Sequence, residues 1–135
     1  MEKEDYLKRQ IDQLGKVLGE LLAKITGSGR NPGASETIEI VSQVLDENLH
    51  WDIDQLIAVP ENEFMDTLKS QHLDEVNLEM LADLLAEVAK YHSSDEHRLL
   101  KRALIIYEAL EQSTHTFSFA RNQKMEEIQE KLSHL

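Results

Sequence analysis

Apolar residues recur at Leu7, Ile11, Leu14, Leu18, Leu21 and Ile25, alternately four and three positions apart. That is the heptad seam of an amphipathic helix, close to the shortest length at which a coiled coil holds. Val17 and Leu22 widen the stripe on one side, and Gly15 and Gly19 lie beside it, four apart. Each glycine costs about 1 kcal/mol of helix stability relative to alanine. Close approach of a second helix offsets such a cost, so the pair is expected to mark a packing contact. The run TGSGRNPG, Thr26 to Gly33, then holds three of the five glycines and a proline. It ends the helix in a flexible linker. The expected organisation is an N-terminal helical arm over 1–26, a glycine-rich linker over 27–33 and a body over 34–135.

The body reads as a succession of helices. Ile38, Val41, Val44, Leu45 and Leu49 share one face, with Ser35 and Glu36 suited to the helix start. His50, Trp51 and Asp52 interrupt the pattern, and Ile53, Leu56 and Ile57 give a short helix. In VPENEF, Pro60 fits a first helical position and Glu61 and Glu63 complement the helix dipole, while Phe64, Met65 and Leu68 face inward. Residues 77–91, NLEMLADLLAEVAKY, carry one stripe of Leu78, Leu81, Leu85 and Val88 and a second of Ala82, Ala86 and Ala89, with Asn77 as expected N-cap. A helix apolar over most of its circumference is buried on several sides, which makes this one central. SSDEH offers a capping box from Ser93 to Glu96. Leu99, Leu100, Ala103, Leu104, Ile106, Tyr107 and Leu110 line the helix that follows, with Arg98, Lys101 and Arg102 outside. A last helix from Ser118 uses Met125, Ile128, Leu132 and Leu135. No alternating strand pattern occurs, so the chain is expected to be all-α, a bundle of about five or six helices behind a protruding heptad helix.

Composition narrows the function classes. With 135 residues, 41% hydrophobic and 30% charged, the chain has the makings of one globular domain. It has no cysteine, which excludes disulfides, thiolate metal sites and a cysteine nucleophile. The charged opening MEKEDYLKRQ lacks a secretory signal and no run is apolar enough to span a bilayer, so a soluble cytoplasmic protein is expected. The net charge of −12 is concentrated in residues 34–83, where thirteen acidic residues face Lys69 alone; residues 1–27 balance five acids against five bases. Such a field repels nucleic acid.

The stretch THTFSFARNQK, Thr114 to Lys124, places two of the three phenylalanines beside Arg121 and Lys124. A nucleic-acid platform needs more aromatics and a basic groove. The expected reading is a helix corner: Phe117 and Phe119 buried as anchors, Thr116 or Ser118 capping, and Arg121 and Lys124 outward, paired with Glu127 and Glu130.

ALIIYEALEQ and TFSFARNQK, with EDYLKRQIDQLGKVLGELL at the start, resemble a family of small all-helical bacterial proteins with a tetratricopeptide-like body. The resemblance falls mainly on the first helix and residues 99–128, and it implies a helical-hairpin body and no established activity. A repeat of that kind sets a small residue early in its second helix and an aromatic four later, as Ala103 and Tyr107 do. The turn YHSSDEH is longer than usual, and no second copy stands in register.

Candidate chemistry is sparse. Glu126, Glu127 and Glu130 form EExxE, which resembles the magnesium-binding motif of all-α nucleotide pyrophosphohydrolases, but no ExxD follows before Leu135. That chemistry needs carboxylates converging from different helices; Glu79 and Asp83 serve equally as a solvated edge. His92 and His97 are five apart and supply two metal ligands at best. His50 and Trp51 read as a loop pair over the core, and GxSxG, Walker and HExxH motifs are lacking. The expectation is a non-enzymatic protein–protein interaction or self-assembly module without catalytic, cofactor or metal residues. Its contact surface is Leu7, Ile11, Leu14, Gly15, Leu18, Gly19, Leu21, Leu22 and Ile25, and its partner is a second copy, as a homodimer, or another protein. The alternative is a magnesium-dependent pyrophosphohydrolase-like enzyme using helical carboxylates.

Overall fold

The computed structural model describes residues 2–27, 33–71, 73–114 and 117–135. Among these residues there are seven helices and no strand: α1 (Glu2–Thr26), α2 (Ala34–Leu49), α3 (Ile53–Ala58), α4 (Glu61–Lys69), α5 (Glu75–Ala89), α6 (Glu96–Thr114) and α7 (Phe119–Ser133). The helical periodicity of the sequence thus corresponds to an all-α bundle. Residues 28–32 of the expected linker lie outside the described residues.

Helix α5 occupies the middle, as its nearly all-round apolar surface requires. It packs against α1, α2 and α6, while α6 in turn meets α3, α4 and α7. Leu81, Ala82, Leu84, Leu85 and Val88 of α5 are buried together with Leu99, Leu100, Ala103, Ile106, Tyr107 and Leu110 of α6. Val41, Leu45 and Leu49 of α2, Ile53, Leu56 and Ile57 of α3, and Phe64 and Leu68 of α4 complete the same core. Each large apolar side chain so covered stabilises the fold by about 1.5–3 kcal/mol relative to exposure.

Several helix starts differ from the expected ones. The α5 cap is Asp74, whose carboxylate accepts from the Asn77 backbone N–H at 2.8 Å. Asn77 itself is buried. At α6 the first helical bond runs from Leu99 N–H to the Asp95 carbonyl at 2.9 Å, which places the cap at Asp95 rather than Ser93. Pro60 stands one position before α4, at its N-cap. Helix α3 starts with a capping box that the sequence reading missed: the Asp52 carboxylate accepts from Gln55 N–H at 2.8 Å, and the Gln55 side-chain oxygen accepts from Asp52 N–H at 2.9 Å. His50 closes α2 in the left-handed conformation, φ 61°.

Two further placements correct the sequence reading. Arg102 is buried rather than outside, with 5% exposure. Its guanidinium donates to the carbonyls of Ile57 and Val59 at 2.9 and 2.8 Å and to the Glu61 carboxylate at 3.3 Å, and it lies 5.5 Å from the Phe64 ring centre. The first helix also does not protrude along its whole length. Leu18, Leu21 and Ile25 are buried in the common core and Leu14 packs against it, so the second half of α1 is docked on its own body.

Candidate functional site

The docked half of α1 is held by a polar contact as well as by leucines. Asn77 Nδ2 reaches across from α5 and donates to the Ile11 carbonyl at 3.0 Å. A Cβ on Gly15 would stand 3.0 Å from Asn77 Oδ1, so this glycine makes room for the asparagine. Gly19 faces only the Met80 sulfur, at 3.8 Å from where a Cβ would sit.

The expected contact residues therefore divide. Leu18, Leu21 and Ile25 are spent on the protein's own core; Leu22 is half-buried and borders a cavity among α1, α5, α6 and α7. Leu7, Ile11 and Leu14 line a cleft of about 700 Å³ between the first half of α1 and the ends of α2 and α4. Tyr6, which the heptad pattern left out because it falls beside the seam, borders the same cleft and is 61% exposed. The opposite wall carries Glu47, Asn48, His50, Ser70 and Gln71.

A second polar arrangement joins α5, α6 and α7. Arg121 Nε donates to Glu79 at 2.9 Å and its Nη1 to Glu111 at 3.0 Å; Lys124 Nζ stands 3.0 Å from Asp83. The Tyr107 hydroxyl donates to the same Asp83 carboxylate, and Lys124 lies 5.7 Å from the Tyr107 ring centre. Burial first, then the bond to Asp83, pushes the Tyr107 phenol well above its ordinary range. Burial alone would lower the Arg121 guanidinium, but its two carboxylate partners outweigh this and raise it. Glu79 Oε2 is buried without a hydrogen-bond partner, with Lys124 Nζ 3.7 Å away.

Helix α6 ends at Thr114 and α7 begins at Phe119, so the expected change of helix falls here, but the residues expected inside and outside are exchanged. Phe117 and Phe119 are 68% and 70% exposed, whereas Arg121 and Lys124 turn inward. Ser118 is the cap of α7, accepting from Arg121 N–H at 3.2 Å, and Thr116 lies outside the described residues. Both basic groups are occupied by carboxylates, so among the described residues the exposed phenylalanines have no basic groove beside them of the kind that nucleic-acid stacking requires. Leu135, expected on the inner stripe of α7, is exposed.

For carboxylate chemistry, the same ion pairs occupy Glu79 and Asp83. Glu126, Glu127 and Glu130 are exposed; the last two share an open hollow with Glu96 and His134. Among the described residues one group brings three metal-ligating side chains together, and it is elsewhere: Asp54, His92 and Asp95, with donor atoms all within 4.8 Å of one another. His97 is exposed and not part of it.

No protein-family model matches the chain, and comparison with curated proteins and with solved structures likewise gives no match. Among the described residues no helix is long and apolar enough to cross a membrane.

Proposed function

We propose that the protein is a non-enzymatic assembly module that pairs with a second copy of itself through the first half of α1. The observation that carries this reading is the division of the seam. Leu18, Leu21 and Ile25 are covered by the body, while outside the core Tyr6 of the same helix is exposed and Leu7 and Ile11, half-buried, line the cleft. Charge favours a twin at this place: residues 1–27 carry no net charge, whereas the acidic excess of residues 34–83 would oppose contact between bodies. A two-fold contact would set the cleft-lining row of each copy against the other. Within the body, α5 and α6 form a closely packed hairpin with Ala103 and Tyr107 buried. On this reading the hairpin is a single tetratricopeptide-like unit supporting the cleft rather than a repeat groove.

Sedimentation of the wild type and of the double variant Leu7→Glu/Ile11→Glu tests the proposal. Both side chains lie outside the core, so the variant should keep its helical circular dichroism. A dimer reduced to monomer by the two substitutions is the expected outcome. A wild type that is monomeric at every concentration, or a variant that still dimerises, would overturn it. Deleting α1 is no substitute, because it strips Leu18, Leu21 and Ile25 from the core.

A further inference from the structure

We propose that Asp54, His92 and Asp95 form a binding site for a first-row divalent transition-metal ion such as Zn²⁺. The three donors come from two segments that the fold brings together: Asp54 from the first turn of α3, and His92 and Asp95 from the turn between α5 and α6. Their ligand atoms lie within 4.8 Å of one another. His92 Nε2 and Asp95 Oδ2 are 3.4 Å apart, long for a hydrogen bond. Two donors each about 2.1 Å from a tetrahedral ion lie roughly 3.4 Å from each other, so this pair already has the separation that an ion between them requires.

The surroundings hold the donors in place. The backbone bond from Asp95 N–H to the His92 carbonyl, 3.1 Å, fixes the turn that presents both side chains. Ser94 Oγ lies 3.4 Å from His92 Nδ1, on the side of the ring away from the Nε2 that faces Asp95. On the α3 side, the Asp52–Gln55 capping box and the bond from Ile53 N–H to Ser42 Oγ, 3.1 Å, set the backbone that carries Asp54. Arg98 competes: its Nη1 is 3.7 Å from Asp95, but it approaches Oδ1, the other carboxylate oxygen, and its side chain is largely exposed.

The donor set selects the class of ion. Two carboxylates neutralise a dication, and the imidazole nitrogen favours zinc, cobalt or nickel over magnesium and calcium, which prefer all-oxygen shells. Three protein ligands leave a coordination position to solvent. Bound there, the ion would clip α3 to the α5–α6 turn. This site is independent of the α1 contact, so neither proposal depends on the other.

Calorimetric titration of the tag-free full chain with Zn²⁺ is the test. One ion per chain is expected, with affinity weakened at least about tenfold in Asp54→Asn and in His92→Gln and unchanged in His97→Gln. Zn²⁺ should also shift the His92 ring signals of the wild type in nuclear magnetic resonance spectra, a readout that needs no variant to fold. Absence of saturable Zn²⁺ uptake, or uptake that persists in both Asp54→Asn and His92→Gln, would overturn the proposal. So would a wild type whose His92 ring is undisturbed by the ion.

Discussion

Gly15 and Gly19 look equivalent in the sequence, and their surroundings separate them. Asn77 Oδ1 lies 3.0 Å from the Cβ position of Gly15, and the asparagine cannot retreat without disturbing its bond to the Ile11 carbonyl. Gly19→Ala meets only ordinary contact and should add up to about 1 kcal/mol of helix stability. Gly15→Ala should gain less or lose; equal stabilisation of the two in urea unfolding would show that the contact imposes nothing. Asn77 was expected as a cap because Asp74 and Asn77 are both capping residues within one turn, and local rules do not choose between them. The bond that decides its role ends at Ile11, 66 residues away. Tyr107 shows the same limit: helical spacing places it inside, but not its hydroxyl against Asp83. Its phenol pKa is raised above the ordinary value of 10.0. A folded-state pKa above the unfolded one contributes stability that is whole below about pH 10 and is lost as pH climbs toward the folded value. Above about pH 10 the wild type should therefore lose up to roughly 1.4 kcal/mol per pH unit more than Tyr107→Phe, which has no such proton. Parallel stability–pH curves for the two would contradict this.

Helix α7 buries only Ile128 fully, with Met125 and Leu132 partly covered. Its attachment therefore leans on Arg121 and Lys124. Arg121→Ala should cost about 2 kcal/mol, since it leaves Glu79 and Glu111 without their shared cation in a half-buried setting. Hydrogen exchange should show residues 119–133 opening ahead of the remainder; unchanged protection there would refute the anchoring role. The inward turn of these bases was readable: the Met125, Ile128 and Leu132 stripe, continued back by four, lands on Arg121 and leaves Phe119 on the other side. What obscured it was the assumption that aromatic residues take the interior positions and charges the exterior ones. The α1 seam misleads differently. A uniform heptad gives no sign of where a helix leaves its own body, and that point is set by the body's edge.

Across the molecule, the all-α architecture and the central position of α5 were legible because helical periodicity is local. Pairings between helices were not. Asp54 and His92 are far apart in the chain, so sequence spacing alone offers His92 and His97, five apart, as candidate metal ligands and not the group that includes Asp54. Arg102 reads as a surface base until Ile57, Val59 and Glu61 are seen around it. That last contact has a kinetic meaning. Helix α3 has six residues, too few to persist alone, and carbonyls at and just beyond its end are satisfied by a side chain 45 and 43 positions downstream. It is therefore expected to fold late, onto a nucleus built on the local α5–α6 pair. Weakening its contacts with α6 would hasten unfolding and leave the rate of folding nearly untouched.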